Sequence, residues 1–277
     1  MIEIAAPAKI NLTLRVLGRR EDGFHNIETL IVPIGIADRL AIEEAETWTF
    51  SCDDPTVPGD ERNLVVRAAR LFFAETGMRG NVRVRLEKKI PHGAGLGGGS
   101  SDAAAALRLL DRFYETGLDR ETLMRLAAEL GSDVPVFVDG RAAWCRGRGE
   151  IVEGTDFPER LPILLLKPDF GVPTPWAYKM WKNSQRLKGV HYEPQEFPWG
   201  SLENDLERPV FEKYLVLAAM KEWLREQPET AGALMSGSGA TMFALLKTAG
   251  TGEALAARAR ELYGKSLWTC ETCSSPY

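Results

Sequence analysis

The sequence is poor in the features that mark secreted, membrane-embedded or nucleic-acid-binding proteins. Four cysteines, Cys52, Cys145, Cys270 and Cys273, are too few and too scattered for a disulfide framework. The one close pair, C-E-T-C at Cys270 and Cys273, has no second pair or suitable histidine beside it, so it reads as two thiols near a strand rather than a zinc site. Basic excess is missing as well. Lys and Arg number 34 against 39 Asp and Glu, for a net charge of -5 and a pI near 5.5. That balance excludes the broad basic face of a non-specific nucleic-acid binder, but leaves room for a phosphate held by backbone amides and a few local cations. No apolar run reaches the roughly 18 residues of a membrane span. MIEIAAPAKINL has no charged region ahead of an apolar stretch, so no signal peptide is expected. The expectation is a cytoplasmic protein with no membrane or nucleic-acid partner.

What is present suits a folded core: 277 residues, 44% hydrophobic and 26% charged. Ile10, Leu12, Leu14 and Val16 alternate with Lys9, Asn11, Thr13 and Arg15, which predicts a half-buried strand with Lys9 and Asn11 on its polar face. Thr29 to Glu43 reads as extended. Leu64, Ala68, Leu71 and Phe72 recur at helical spacing before Gly77, and Val82 to Glu87 alternates as a strand. Asp119 caps a further helix that ends at Gly131. After a loose stretch, GTDFPERLP, the second half reads as strand (163–166), helix (176–181), longer helix (210–225), strand (233–235), strand (241–246), helix (253–262) and a last strand near Leu267. Setting the first of these helices aside, the order is β-α-β-β-α-β, a ferredoxin-like arrangement. The boundary is placed so that 1–157 and 158–277 form the two domains.

The segment joining the strand at 82–87 to the next helix carries the clearest chemistry. Gly93, Gly95, Gly97, Gly98 and Gly99 are followed by Ser100, Ser101 and Asp102, each a good helix N-cap, and then by an Ala-rich helix. Glycines let the backbone approach a ligand, and the first amides of a helix lack internal partners. Together they make an anion cradle suited to a di- or triphosphate. The Walker pattern is absent, since no lysine precedes Ser100. A literal G-x-G-x-x-G occurs at Gly93, Gly95 and Gly98. However, the strand before it is half charged and ends in Lys88 and Lys89. Asp119, at the right spacing for a ribose contact, is a helix cap. A nicotinamide-dinucleotide reading is therefore poor.

PHGAGLGGGSSDAAA resembles the second signature of the GHMP kinase superfamily, in the form found in its branch acting on diphosphocytidyl-methylerythritol. PAKINLTLRVLGRREDGFHNIETL resembles the first signature of that branch and MSGSGATMFAL the third, while GSDVPVF and ENDLERPVF are similar to further segments of it. The resemblance spans Pro7 to Leu245. It implies an α+β chain with the GHMP kinase fold: an N-terminal ribosomal-protein-S5-domain-2-like domain that binds ATP, then a C-terminal ferredoxin-like domain. It implies ATP-dependent phosphorylation of the 2-hydroxyl of the cytidine substrate, with Mg2+ and without a phospho-enzyme, by a monomer or weak homodimer. The alternatives are a GHMP kinase for mevalonate, homoserine or a sugar, and a non-catalytic nucleotide-binding protein.

By the same resemblance, Asp133 takes the proton of the substrate hydroxyl and Lys9 pairs with it. ATP lies along Pro91, His92, Gly93, Ala94, Gly95, Leu96, Gly97, Gly98, Gly99, Ser100 and Ser101, with Asn63 near the adenine or acting as a helix cap. Asn11, Phe24, His25, Thr174 and Tyr178 bind the substrate, with the aromatic rings stacking on the base. Many relatives carry tyrosine where Phe24 stands. Gly237 and Gly239 shape the wall of the site. The protein ligands of the metal stay unknown.

Overall fold

The computed structural model describes residues 1–157 and 160–274. The domain boundary expected after residue 157 falls beside 158–159, outside the described residues. The order of elements is strand β1 (Ile2–Arg19), β2 (His25–Glu44), β3 (Thr49–Cys52), helix α1 (Leu64–Thr76), β4 (Val82–Glu87), α2 (Gly98–Tyr114), α3 (Arg120–Leu130) and α4 (Val134–Asp139). Then follow β5 (Ala143–Gly147), β6 (Ile151–Gly154), β7 (Pro162–Lys167), α5 (Thr174–Trp181), β8 (Gln195–Phe197) and β9 (Gly200–Asn204). The chain continues with α6 (Glu207–Lys213), α7 (Leu215–Arg225), β10 (Thr230–Met235), β11 (Met242–Leu246), α8 (Gly252–Tyr263) and β12 (Trp268–Cys273).

Two sheets organise the molecule. The first runs β3-β4-β2-β1-β9-β8, with β5 and β6 attached to β2. The second runs β10-β11-β7-β12, all neighbours antiparallel, which is the ferredoxin-like order. β1 is not half-buried, as its alternation implied. Every residue from Ala6 to Leu14 is buried, because α2 covers one face and the second half of the chain packs on the other. Lys9, Asn11 and Thr13 are therefore polar groups held inside, at 3%, 3% and 2% exposure. That placement is tolerable only where each finds a partner.

Other differences from the sequence reading are local. The helix after the glycines starts earlier than its serines suggest. Gly97, at φ 71°, is the cap, and Gly98 and Gly99 are already helical, so Ser100, Ser101 and Asp102 fall inside the first turns. The helix expected over 210–225 is two, α6 and α7, broken at Tyr214 with φ -111° and ψ 70°. The polar stretch before it contains the hairpin β8–β9, which alternation over so few residues does not announce. β9 pairs parallel with β1 at Thr13–Glu203 and Leu14–Asn204. The cap of α1 is as read: the Asn63 side chain accepts a hydrogen bond from the Val65 amide at 2.8 Å, and Gly77 closes the helix in the left-handed region.

Candidate active site

The glycine loop is pinned by its carbonyls. Leu96 O accepts from the Lys9 amide at 3.0 Å and Ala94 O from the Thr241 amide at 3.2 Å. Gly95 O accepts from Lys9 Nζ at 3.2 Å and from Ser236 Oγ at 3.0 Å. The first bond inside α2 runs from the Ser101 amide to Gly97 O at 2.9 Å, which leaves the amides of Gly98, Gly99 and Ser100 without helical acceptors. Glycine is required at Gly95: it sits at φ 75°, and a Cβ there would lie 2.4 Å from Ser236 O. At Gly93 and Gly99, by contrast, a Cβ would meet open space. Pro91 and His92 form the exposed entry to the loop.

Lys9 lies against this loop. Its Nζ donates to Asn11 Oδ1 at 2.6 Å and stands 3.8 Å from Asp133 Oδ2. Burial holds the ammonium below its ordinary proton affinity, and the negative charge of Asp133 opposes that. Asn11 in turn donates to Thr29 Oγ1 at 2.8 Å, and Thr29 donates to Thr13 O at 2.6 Å, so three β-strand side chains form one chain of hydrogen bonds. Asp133 ends the turn before α4. Its carboxylate makes no capping bond, and its side chain is 44% exposed, open to an incoming hydroxyl. Cys145 lies beneath the pair. Burial and the Asp133 charge push its thiol up to about 12, so it stays a protonated, unreactive filler.

The second glycine turn, Ser236 to Ala240, closes over this group. A Cβ on Gly237 would come within 3.3 Å of both Lys9 Nζ and Asn11 Oδ1. Asn204, at the end of β9, donates to Met235 O at 2.7 Å and Gly237 O at 2.8 Å, and so sets the height of the turn. Thr174 Oγ1 and Ser238 Oγ are 2.7 Å apart, tying the start of α5 to the same turn.

Beside it lies an aromatic cluster. His25 stacks on Tyr178 with centroids 5.6 Å apart and meets Trp181 edge-on at 6.0 Å. Burial, with the Asp133 charge adding to it, raises the proton affinity of the Tyr178 hydroxyl, which keeps it protonated. Phe24 is 51% exposed and stacks on neither ring among the described residues. Instead the Arg148 guanidinium covers one face at 4.9 Å. Asn63 is set apart: both its polar atoms are engaged, with the Val65 amide and with Pro58 O, and no hydrogen bond ties it to the glycine loop.

Sequence reasoning gave no role to Thr29, Asn204 or Ser236, although each lies in a segment that resembles the family, and it missed Arg148, which lies outside those segments. It also missed a charged cluster beneath the loop, formed by Asp38, Lys88 and Asp102. Lys88, ending a half-charged strand, and Asp102, read as a helix N-cap, were its traces.

Among the described residues no helix is long and apolar enough to cross a membrane. The family GHMP kinases N terminal domain matches residues 63–141, and GHMP kinases C terminal matches 196–265. A protein of Methylacidiphilum infernorum named 4-diphosphocytidyl-2-C-methyl-D-erythritol kinase is 46% identical over 87% of this chain and 84% of its own. A protein of the same name from Desulfitobacterium hafniense is 37% identical over 94% and 92%. A crystal structure of 4-(cytidine 5'-diphospho)-2C-methyl-D-erythritol kinase superposes with a TM-score of 0.80 at 36% identity, covering 99% of this chain and 100% of that one. A homoserine kinase of Cytophaga hutchinsonii, at 17% identity and a TM-score of 0.69 over 99% and 94%, shares the fold. This chain belongs to the 4-diphosphocytidyl-2-C-methyl-D-erythritol kinase family of the GHMP kinases.

Proposed function

We propose that this kinase transfers the terminal phosphoryl group of ATP to the 2-hydroxyl of 4-diphosphocytidyl-2-C-methyl-D-erythritol, giving the 2-phosphate and ADP on the methylerythritol route to isoprenoid precursors. The family relationship supports the reaction. The observation that carries the residue roles is the Lys9–Asp133 pair, 3.8 Å apart, beside a glycine loop whose carbonyls are all turned to protein partners at Ala94, Gly95 and Leu96. Phosphoryl transfer asks for a placed nucleophile, an acceptor for its proton and stabilisation of charge on the transferred group. In this reading Asp133 accepts the hydroxyl proton as the oxygen attacks in line. Lys9 Nζ, held by Asn11 Oδ1 and Gly95 O at 3.8 Å from that carboxylate, faces the transferred group. The amides opening α2 receive the phosphates. His25, Tyr178 and Phe24 take the cytosine, Asn11 and Thr174 the rest of the substrate, and Asn63 the adenine side.

Among the described residues no three His, Cys, Asp or Glu side chains converge as a metal site. Magnesium would arrive with the triphosphate, held mainly by phosphate oxygens and water, with Ser100 and Ser101 as the candidate protein ligands. The proposal extends to a division at residues 1–157 and 158–277, a cytoplasmic setting and a monomer or weak homodimer. A coupled ADP-release assay with the cytidine substrate beside mevalonate, homoserine and galactose tests the reaction. Turnover with the cytidine compound alone is expected, and turnover with a competitor in its place would overturn the assignment.

A further inference from the structure

Beneath the glycine loop two carboxylates share one ammonium. Lys88 Nζ binds Asp38 Oδ2, and it donates to Asp102 Oδ2 at 2.8 Å. The side chains are 9%, 0% and 4% exposed. Asp38 is otherwise occupied: its Oδ1 accepts from the amides of Lys89 and Ile90, fixing the passage from β4 into the loop. Asp102 is not, for its Oδ1 is buried without a partner. The cluster lies directly under the cradle. A Cβ on Gly98, the first residue of α2, would sit 3.4 Å from Lys88 Nζ, and Asp102 stands one turn further along the same helix.

The charges do not balance: with both carboxylates ionised, one net negative charge is buried below a site shaped for an anion. Such a charge offsets the positive potential of the helix N-terminus and repels any phosphate above it. A proton on Asp102 removes it, and the bare Oδ1 is the atom to carry that proton. We infer that Asp102 is a proton-linked positioning residue, taking up a proton from solvent when a nucleotide triphosphate docks on the loop. Asp102 is suited to this, since burial first, and then the Asp38 charge, lift its pKa to about 7 against the pull of Lys88. The facing groups from other elements are few. Lys88 and Asp38 come from β4's end and β2. On the far side of Lys88, Asp53 accepts from its backbone amide at 2.8 Å, with Asp54 and exposed His92 beyond.

The inference rests on ATP binding at the glycine loop, and one experiment separates the two. Calorimetric titration of the full chain with ATP, without acceptor substrate, in buffers of different ionisation enthalpy gives the protons taken up. At pH 7.5 the wild type is expected to take up about half a proton more than Asp102→Asn, with ATP affinity of the wild type falling as pH rises and that of the variant flat. Equal uptake in the two proteins, with ATP bound to both, overturns the inference alone. Absence of ATP binding overturns the nucleotide reading with it. Infrared difference spectra of the wild type at pH 8 supply a second readout that does not depend on the variant folding. A protonated-carboxyl band appearing with ATP supports the assignment, and its absence refutes it.

Discussion

Replacing Asp133 by Asn separates chemistry from binding. The change keeps the size and one acceptor of the side chain but removes its charge and its basicity. Loss of a general base typically slows turnover by about 10^2-fold to 10^4-fold. The partner suffers too. Unit charges at the observed 3.8 Å attract by about 4 kcal/mol at an effective dielectric of about 20, and by about 1 kcal/mol in water. Asp133 is 44% exposed, so the pair belongs near the lower end, about 1–2 kcal/mol. Buried Lys9, already held below its usual proton affinity, loses the charge that supports its ammonium. The variant should therefore unfold about 2–6 °C lower and bind ATP within threefold of the wild type. It should also turn over the cytidine substrate at least a hundredfold more slowly. The assay is ADP release beside a calorimetric ATP titration and a thermal melt. Turnover within tenfold of wild type would refute the base assignment, and parallel loss of ATP affinity would show that the residue shapes the site instead.

Three further outcomes are expected. Gly95→Ala forces a side chain into the left-handed region and against Ser236 O, a strain of about 1–3 kcal/mol; KM for ATP should rise tenfold or more, and an unchanged KM would refute the pinned-loop reading. Tyr178→Ala removes the ring stacked on His25; KM for the cytidine substrate should rise about 10-fold to 100-fold while KM for ATP holds, and a change confined to ATP would count against a base pocket there. The folded protein holds Asp102 at about 7 against 3.8 for an ordinary aspartate, so the native state binds the extra proton between those values. Stability should fall as pH climbs through that window and level off above it, whereas Asp102→Asn should give a flatter curve in urea melts; coincident curves would show that Asp102 does not titrate there.

Much of the architecture was readable because it rests on short-range rules. Asn63 and Asp119 cap helices through their own side chains, and Gly77 ends one in the left-handed region. The period-two run at 82–87 is a strand with alternate residues buried. The glycine loop was readable for the same reason, since its composition is its function. What failed depends on neighbours far along the chain. The alternation at Lys9 to Val16 reports one apolar face, which packs on segments more than 150 residues later, but the polar face that carries Lys9 is covered too, by the distant glycine loop at Gly95 to Gly97. Beyond Asn11 on its own strand, Lys9 meets a carbonyl 86 positions away and a carboxylate in a different element. No local pattern encodes those meetings. The serines after Gly99 are good caps in isolation, yet the helix starts earlier, at Gly97 in the left-handed region, where a Cβ would clash with Phe137 and Lys9.

The hairpin that ends in Asn204 has a consequence for how the protein can be cut. Through it, the later half of the chain lends an edge to the earlier half's sheet, with Thr13 and Leu14 bonded to Glu203 and Asn204. It works as a clasp, and the turn above Lys9 hangs from it by two amide hydrogen bonds. A fragment of residues 1–157 would bare that edge and should aggregate when expressed alone, while adding the remainder as a separate chain should restore solubility and phosphoryl transfer together. Substrate must accordingly enter past loops, since the halves cannot swing apart without unlacing a sheet.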